Sequence, residues 1–100
     1  MFEDKYAEDV ILKIPSSTIV DGQRFFVGRV VKALIIDFTE HDLNYFGQIK
    51  NGKIFLLKSA YEPLPDSRIV HAGKTYDLKG VKVCCDLDER IECYRCAAAF

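Results

Sequence analysis

The stretch RIVHAGKTYDL, residues 68–78, decides the fold class of this chain. Two short runs with strand-like alternation flank its central Ala-Gly pair, where a glycine accepts the positive φ of a two-residue hairpin turn. Such a turn sets Ile69 opposite Tyr76 on one face and Arg68 opposite Asp77 on the other. The stretch therefore predicts a β-hairpin with one apolar face that the rest of a sheet must cover.

Length and composition indicate one globular domain over residues 1–100. The chain is 49% hydrophobic and 29% charged, and fourteen basic against fifteen acidic residues leave a net charge of -1. That balance argues against a general nucleic-acid-coating protein, although a local basic patch is compatible with it. The apolar runs are too short to span a bilayer and the acidic N-terminus lacks a signal-peptide pattern. We expect a soluble protein of a reducing cytoplasm, with no membrane partner.

The strand-like runs predict a mainly β fold, a small antiparallel barrel or sandwich of six to seven strands. Residues 1–9 are expected to form an N-terminal arm. Val10 opens a first strand that Pro15 is expected to end, because proline lacks a ladder donor. Asp21-Gly22 then marks a hairpin turn before a long apolar strand from Arg24 to Phe38.

The connection over residues 39–53 is long for a barrel of this size. Thr39, followed three residues later by an aspartate, predicts the N-cap of one or two helical turns inside this loop. The loop also contains Leu43, Tyr45 and Phe46, which are apolar side chains in an unfavourable place. They either cover the core as a lid or dock another protein chain.

The closing hairpin pairs residues 81–85 with 91–98. A two-residue turn at Asp88-Glu89 sets Cys84 opposite Cys93 and also sets Lys82 opposite Arg95. Like charges in those positions repel each other. Either a bulge shifts the register, or that face meets an acidic partner.

Four cysteines lie in this hairpin, as Cys84-Cys85 and Cys93-x-x-Cys96. On strands, the thiols within each of these pairs point to opposite faces, which is unsuited to a zinc site. We predict free thiols, two of them facing each other across the strands, and no metal.

The only histidines, His41 and His71, are expected to be solvated surface groups. Neither lies in a recognised nucleophile motif, and the sequence has no phosphate-binding loop and no metal-binding motif. We therefore predict no catalytic residues, no cofactor and no enzymatic activity.

The order of these features resembles the head–tail joining proteins of tailed bacteriophages, also called head-completion, head-closure or stopper proteins. The resemblance covers roughly Val10 to Ala98, from the first hairpin and the long apolar strand to the closing hairpin. Its best-matching part is the hairpin Ile69…Gly73…Tyr76…Leu78.

This resemblance implies a β-barrel that assembles as a ring, commonly six-fold, in the neck of the virion after synthesis in the host cytoplasm. The ring joins the portal of the DNA-filled head to the tail and helps close the head. Implied partners are other copies of the chain, a portal or adaptor protein, and a tail terminator or tail-tube protein. The resemblance also implies that Leu43, Tyr45 and Phe46 pack between protomers. Lys50 and Lys53 would face DNA in the channel.

Two alternatives remain open from the sequence. One is a tail-terminator-type ring with a different partner. The other is a small-barrel module that binds a peptide or single-stranded nucleic acid. The second alternative requires Phe25 and Tyr94 exposed on one sheet face beside Arg29 and Arg95.

Overall fold

The computed structural model describes residues 6–58, 62–85 and 87–100. In that part of the chain six antiparallel strands close into one barrel, in the order β1-β2-β3-β6-β5-β4, and one short helix follows β2. The elements are β1 (Glu8–Val20), β2 (Gln23–Ile36), α1 (Glu40–Phe46), β3 (Gly52–Lys58), β4 (Arg68–His71), β5 (Lys74–Cys85) and β6 (Ile91–Ala99). The predicted mainly β fold is confirmed, as a barrel. Among the described residues no helix is long and apolar enough to cross a membrane.

The barrel core forms from side chains that alternate inward along each strand. Phe55 and Leu57 are fully buried at its centre, and the Tyr76 ring meets Phe55 edge-on with 5.1 Å between ring centroids. Each such side chain contributes roughly 1.5–3 kcal/mol on burial. The cluster comprises Val10, Leu12, Val31, Ala33, Phe55, Leu57, Ile69, Tyr76, Tyr94, Cys96 and Ala98.

The hairpin of residues 68–78 has the predicted register. Ile69 pairs with Tyr76 on the buried face, and Arg68 pairs with Asp77 on the outer face, with 3.4 Å between Nε and Oδ1. The turn residue Ala72 has φ of 51°, which matches a hairpin turn with two residues in the left-handed region. Local turn chemistry and the buried face agree on one register here.

The first hairpin is longer than predicted. Its turn at Asp21-Gly22 is confirmed, but Pro15 does not end β1, which continues to Val20 after a register shift between Pro15 and Ile19. The expectation was wrong because Pro15 lies beyond the stretch Ile11–Lys13 that pairs with β4. Proline is tolerated where its missing donor faces solvent.

The predicted N-terminal arm falls largely on residues 1–5, which lie outside the described residues; β1 already begins at Glu8.

The closing hairpin confirms two predicted pairings, Cys84 opposite Cys93 and Lys82 opposite Arg95. The register then shifts between Cys84 and Cys85. Of the turn residues between the strands, Asp86 lies outside the described residues. Lys82 and Arg95 therefore lie opposite each other, and other groups must offset the repulsion between their charges.

Candidate protein-interaction surfaces

Helix α1 begins at a capping box, as its sequence predicts. The Thr39 hydroxyl accepts a hydrogen bond from the backbone N–H of Asp42 at 3.3 Å, and the Asp42 carboxylate accepts one from the Thr39 N–H at 2.8 Å. These two bonds satisfy donors that a helix end leaves open. Gly47, with φ of 80°, follows the helix, and its N–H bonds the Leu43 carbonyl. The helix has seven residues, about two turns, and hydrogen bonds cap it at both ends.

The helix and its flanking residues cover an outer face of the barrel, which is built from β3, β6 and β5. Ile54 and Ala97 are fully buried there although they point away from the barrel core. Phe46 packs so closely over Gly80 that a Cβ at residue 80 would lie 2.8 Å from its Cδ1. We call this second apolar cluster the lid cluster; it comprises Ile54, Leu56, Cys93 and Ala97 with Leu34, Ile36, Phe38, Phe46, Ile49 and Cys84.

Asp42 and Arg95 form a two-bond ion pair between α1 and β6. Arg95 Nε donates to Asp42 Oδ1 at 2.5 Å and Arg95 Nη2 donates to Oδ2 at 2.8 Å. The Asp42 side chain is 2% exposed. The hydrogen bonds from Arg95 are the main reason that the pKa of Asp42 falls to about 2. The acidic group that the Lys82–Arg95 pairing required is therefore supplied by this chain itself.

Lys82 completes the same arrangement. Its ammonium lies 5.1 Å from the centroid of the Tyr45 ring, a distance at which a cation is attracted to the ring face. Both members of the like-charge pair therefore contact α1, one through Asp42 and the other through Tyr45.

The three predicted interface residues take different positions. Leu43 and Tyr45 are exposed on the outer side of α1, whereas Phe46 is half-buried in the lid cluster and meets Tyr45 and Phe38 edge-on. The sequence left two roles open for these side chains, covering the core as a lid or docking another protein chain, and Phe46 takes the first role. Leu43 and Tyr45 remain available to another chain.

Lys50 and Lys53 lie just after α1. Lys50 is exposed in the turn before β3. Lys53 Nζ lies 2.5 Å from Asp37 Oδ1, and that hydrogen bond raises the pKa of Lys53. Part of the positive charge expected to face DNA is therefore already matched within the chain.

A projecting hairpin was not anticipated from the sequence. In the described part of the chain, β1 pairs with β4 only over Ile11–Lys13, and β2 pairs with β3 only over Ala33–Ile36. Among the described residues, the remaining lengths of β1 and β2 pair only with each other. We call this part, residues 14–32, the hairpin arm, and it fits the 46 × 28 × 25 Å extents of the molecule.

Large apolar side chains on the hairpin arm face solvent. Val27 is opposite the half-buried Ile14 and so continues the inner face of the barrel, yet it is 62% exposed. Phe25 is 53% exposed and Val30, on the outer face, is 65% exposed. The high apolar content from Arg24 onward was the available signal, but it also fits a strand buried on both faces.

The cysteines are arranged as free thiols. Cys93 is in the lid cluster and Cys96 is in the barrel core, so the Cys-x-x-Cys thiols point to opposite faces as predicted. Burial raises the pKa of Cys93 to about 11 and that of Cys96 to about 12. Both remain protonated at neutral pH and are poor nucleophiles and metal ligands. No cluster of three or more potential metal ligands occurs in the described residues.

The two histidines differ. His41 is exposed, as expected. His71 is not a fully solvated group, because its side chain is 22% exposed and its ring meets Phe55 edge-on. Its Nε2 lies 3.2 Å from Glu8 Oε1, which links β4 to the start of β1.

The aromatic platform required for the nucleic-acid alternative does not form. Tyr94 is 4% exposed in the barrel core and Arg95 is bound to Asp42, while Phe25 lies on the hairpin arm. These residues therefore do not share an exposed sheet face.

Comparison of the chain with protein-family models, with curated proteins and with solved structures finds no match.

Proposed function

We propose that this protein is a structural assembly protein that forms a ring with other copies of itself in the neck of a tailed bacteriophage. In that position it joins the portal of the DNA-filled head to the tail. The order of strands, loop and hairpins in the sequence supports this setting. The exposed apolar hairpin arm is the observation that carries the assembly role.

The hairpin arm supports assembly because its surface is costly to leave in water. Phe25, Val27 and Val30 are all more than half exposed on one projecting strand. Val27 is on the inner face of the strand and Val30 on the outer face, and large apolar side chains exposed on both faces of one element indicate a protein–protein contact. In a ring, each copy meets two neighbours through different surfaces, and small contacts add up around the circle. Leu43 and Tyr45 offer a second exposed apolar area on the helix side.

Contact with DNA is a smaller part of the proposal. Lys50 is exposed, and Lys53 is held by Asp37 at the start of β3. The exposed Lys50, repeated around a channel, provides sequence-independent attraction for the phosphate backbone, and Lys53 contributes less because Asp37 pairs with it. This attraction is electrostatic and weakens as the salt concentration rises. It acts on DNA and does not select a partner protein.

Mass measurement tests the assembly role directly. The purified full chain is analysed by native mass spectrometry and negative-stain microscopy, alone and mixed with a portal protein from a tailed bacteriophage. We expect a ring of this chain bound to the portal. The proposal is contradicted if the chain binds neither portal nor tail proteins at about 0.1 mM or above. That concentration is about 100 times a Kd of about 1 μM. Rings bound only to tail-tube protein favour the tail-terminator alternative.

A further inference from the structure

The outer edge of the hairpin arm is an open template for a β-strand. Among the described residues, β2 has β1 as its sole strand neighbour from Gln23 until the pairing with β3 begins at Ala33. An unpaired edge presents a row of N–H and C=O groups to another strand. The edge of β2 contains no proline, and its side chains are largely apolar.

The opposite edge of the same arm is protected. On β1, Pro15 removes a donor, and the register shift between Pro15 and Ile19 interrupts the regular ladder. Proline and bulges are two of the devices by which proteins block edge pairing. The arm therefore has one blocked edge and one open edge, which is the condition for addition of a strand on the β2 side.

Most charges on the open strand are already matched within the chain. Lys32 Nζ lies 2.6 Å from Asp9 Oδ1, and Arg24 Nη1 lies 3.9 Å from Asp66 Oδ2. Arg24 and Lys32 therefore need no acidic residue from a partner chain to balance their charges. A second strand of the same sequence is therefore electrostatically acceptable.

We propose that a second copy of this chain occupies the open edge, with the two β2 strands antiparallel about a two-fold axis at Val27. This register pairs Gln23–Val31, which is nine of the ten residues on the open edge, with Val27 at the midpoint of the pairing. A two-fold axis perpendicular to the sheet keeps the inner faces of both arms on one side, as an isologous contact requires.

The side chains are self-complementary in this register. Val27 meets itself at the axis, and Phe25 lies opposite Arg29 of the second copy, an aromatic–cation pair. Phe26 lies opposite Gly28, where the absent side chain leaves room for the ring. A shift of the axis to Gly28 instead sets Arg24 opposite Lys32, which is a like-charge pair. The two registers pair nine residues each, and only the register about Val27 has no opposed like charges.

This inference does not rest on the proposed function. It describes how the isolated protein covers its arm, whether or not a portal later gathers copies into a ring. Edge pairing of this kind supplies main-chain hydrogen bonds and covers the sides of the exposed apolar side chains on β2.

The mass of the isolated chain over a range of concentrations tests the contact. We expect a concentration-dependent dimer, with slowed backbone hydrogen exchange over residues 23–31 in the dimer. Val27→Lys and Val27→Asp each set like charges against each other at the axis and weaken the dimer by about 100-fold. Because Val27 is 62% exposed, both variants are expected to fold, which circular dichroism checks.

A mixing experiment tests the axis itself. The Val27→Lys and Val27→Asp chains, mixed in equal amounts, form a heterodimer because residue 27 lies opposite residue 27. Ile19→Lys is the matched control, since Ile19 is 60% exposed on the same arm but on β1, and it leaves the dimer intact.

The opposite outcomes are equally clear. Any one of four results overturns the inference. The wild-type chain stays monomeric, the Val27 variants still dimerise, the mixture of the two variants does not pair, or Ile19→Lys disrupts the dimer as strongly as the Val27 variants do. The proposed function is decided separately by binding to the portal.

Discussion

The face beneath α1 and the hairpin arm both place apolar side chains outside the barrel core, but only the first is covered by another element of the chain. Beneath α1, Ile54 and Ala97 are fully buried by a helix that the same chain supplies. Along the arm, Phe25, Val27 and Val30 remain more than half exposed. The first face is covered within one molecule, and the second stays open to solvent in the single chain.

Loop length explains the difference. The connection from β2 to β3 is long enough for a capped helix that folds back over the sheet. The connection from β1 to β2 is the two-residue turn Asp21-Gly22, which leaves no chain to cover the arm. A short turn fixes the register of a hairpin well but gives its exposed faces no cover. Four predictions test this contrast, from the largest expected effect to the smallest.

Asp42→Ala should lower the free energy of unfolding by about 3 kcal/mol, because it leaves the Arg95 guanidinium without its partner in a water-poor site. Urea denaturation measures the change. Asp37→Ala is the matched control, because the salt bridge of Asp37 to Lys53 is exposed and its loss should change stability far less than the loss of the Asp42 pair. Asp42→Ala combined with Arg95→Met should recover part of the loss, since no unpaired charge then remains. Equal effects of the two single substitutions would contradict the covered-face interpretation.

The same ion pair should make stability fall at acidic pH. The pKa of Asp42 is about 2 in the folded protein against an ordinary value of 3.8, so folding favours the charged carboxylate. Its contribution, about 2 kcal/mol, is full above about pH 5 and is mostly lost by about pH 2, where the folded carboxyl becomes protonated. Urea denaturation at several pH values should show the wild type converging on Asp42→Asn over this range. A constant difference between the two proteins down to pH 2 would rule this out.

Gly80→Ala should cost about 1–2 kcal/mol, because the new Cβ lies 2.8 Å from Cδ1 of Phe46 and displaces the ring from the lid cluster. Gly28→Ala is the matched substitution on the arm, where the nearest atom is Ile11 Cγ2 at 3.4 Å. It should leave stability within about 0.5 kcal/mol. Thermal unfolding compares the two variants, and a smaller loss for Gly80→Ala than for Gly28→Ala would reverse the proposed contrast.

Phe25→Ser and Val30→Ser on the arm should have the smallest effect. Both residues are more than half exposed, so unfolding free energies measured at low protein concentration should stay within about 0.5 kcal/mol of the wild type. Leu57→Ala in the barrel core, by comparison, should cost about 2–5 kcal/mol. A loss above about 1.5 kcal/mol in either arm variant would mean that the arm packs against its own barrel.

The sequence by itself determined the features that depend on neighbouring residues. The turn at Asp21-Gly22, the pairing of Ile69 with Tyr76 and the Thr39 cap of α1 all follow from local conformational preference and alternation. The pairing of Lys82 with Arg95 also followed, since it needs only the hairpin register. These features account for the mainly β fold and for most strand positions.

The tertiary structure alone decided which distant groups meet. Asp42 reaches Arg95 across 53 residues, and no local pattern identifies it as the acid that the like-charge pair needs. Likewise, Pro15 is compatible with a strand because β4 is too short to reach it, which is a property of a different element. Apolar alternation also cannot distinguish a strand covered on both faces from one that extends past its neighbours. Burial is set by the lengths of all the strands together, and the hairpin arm is exposed for that reason.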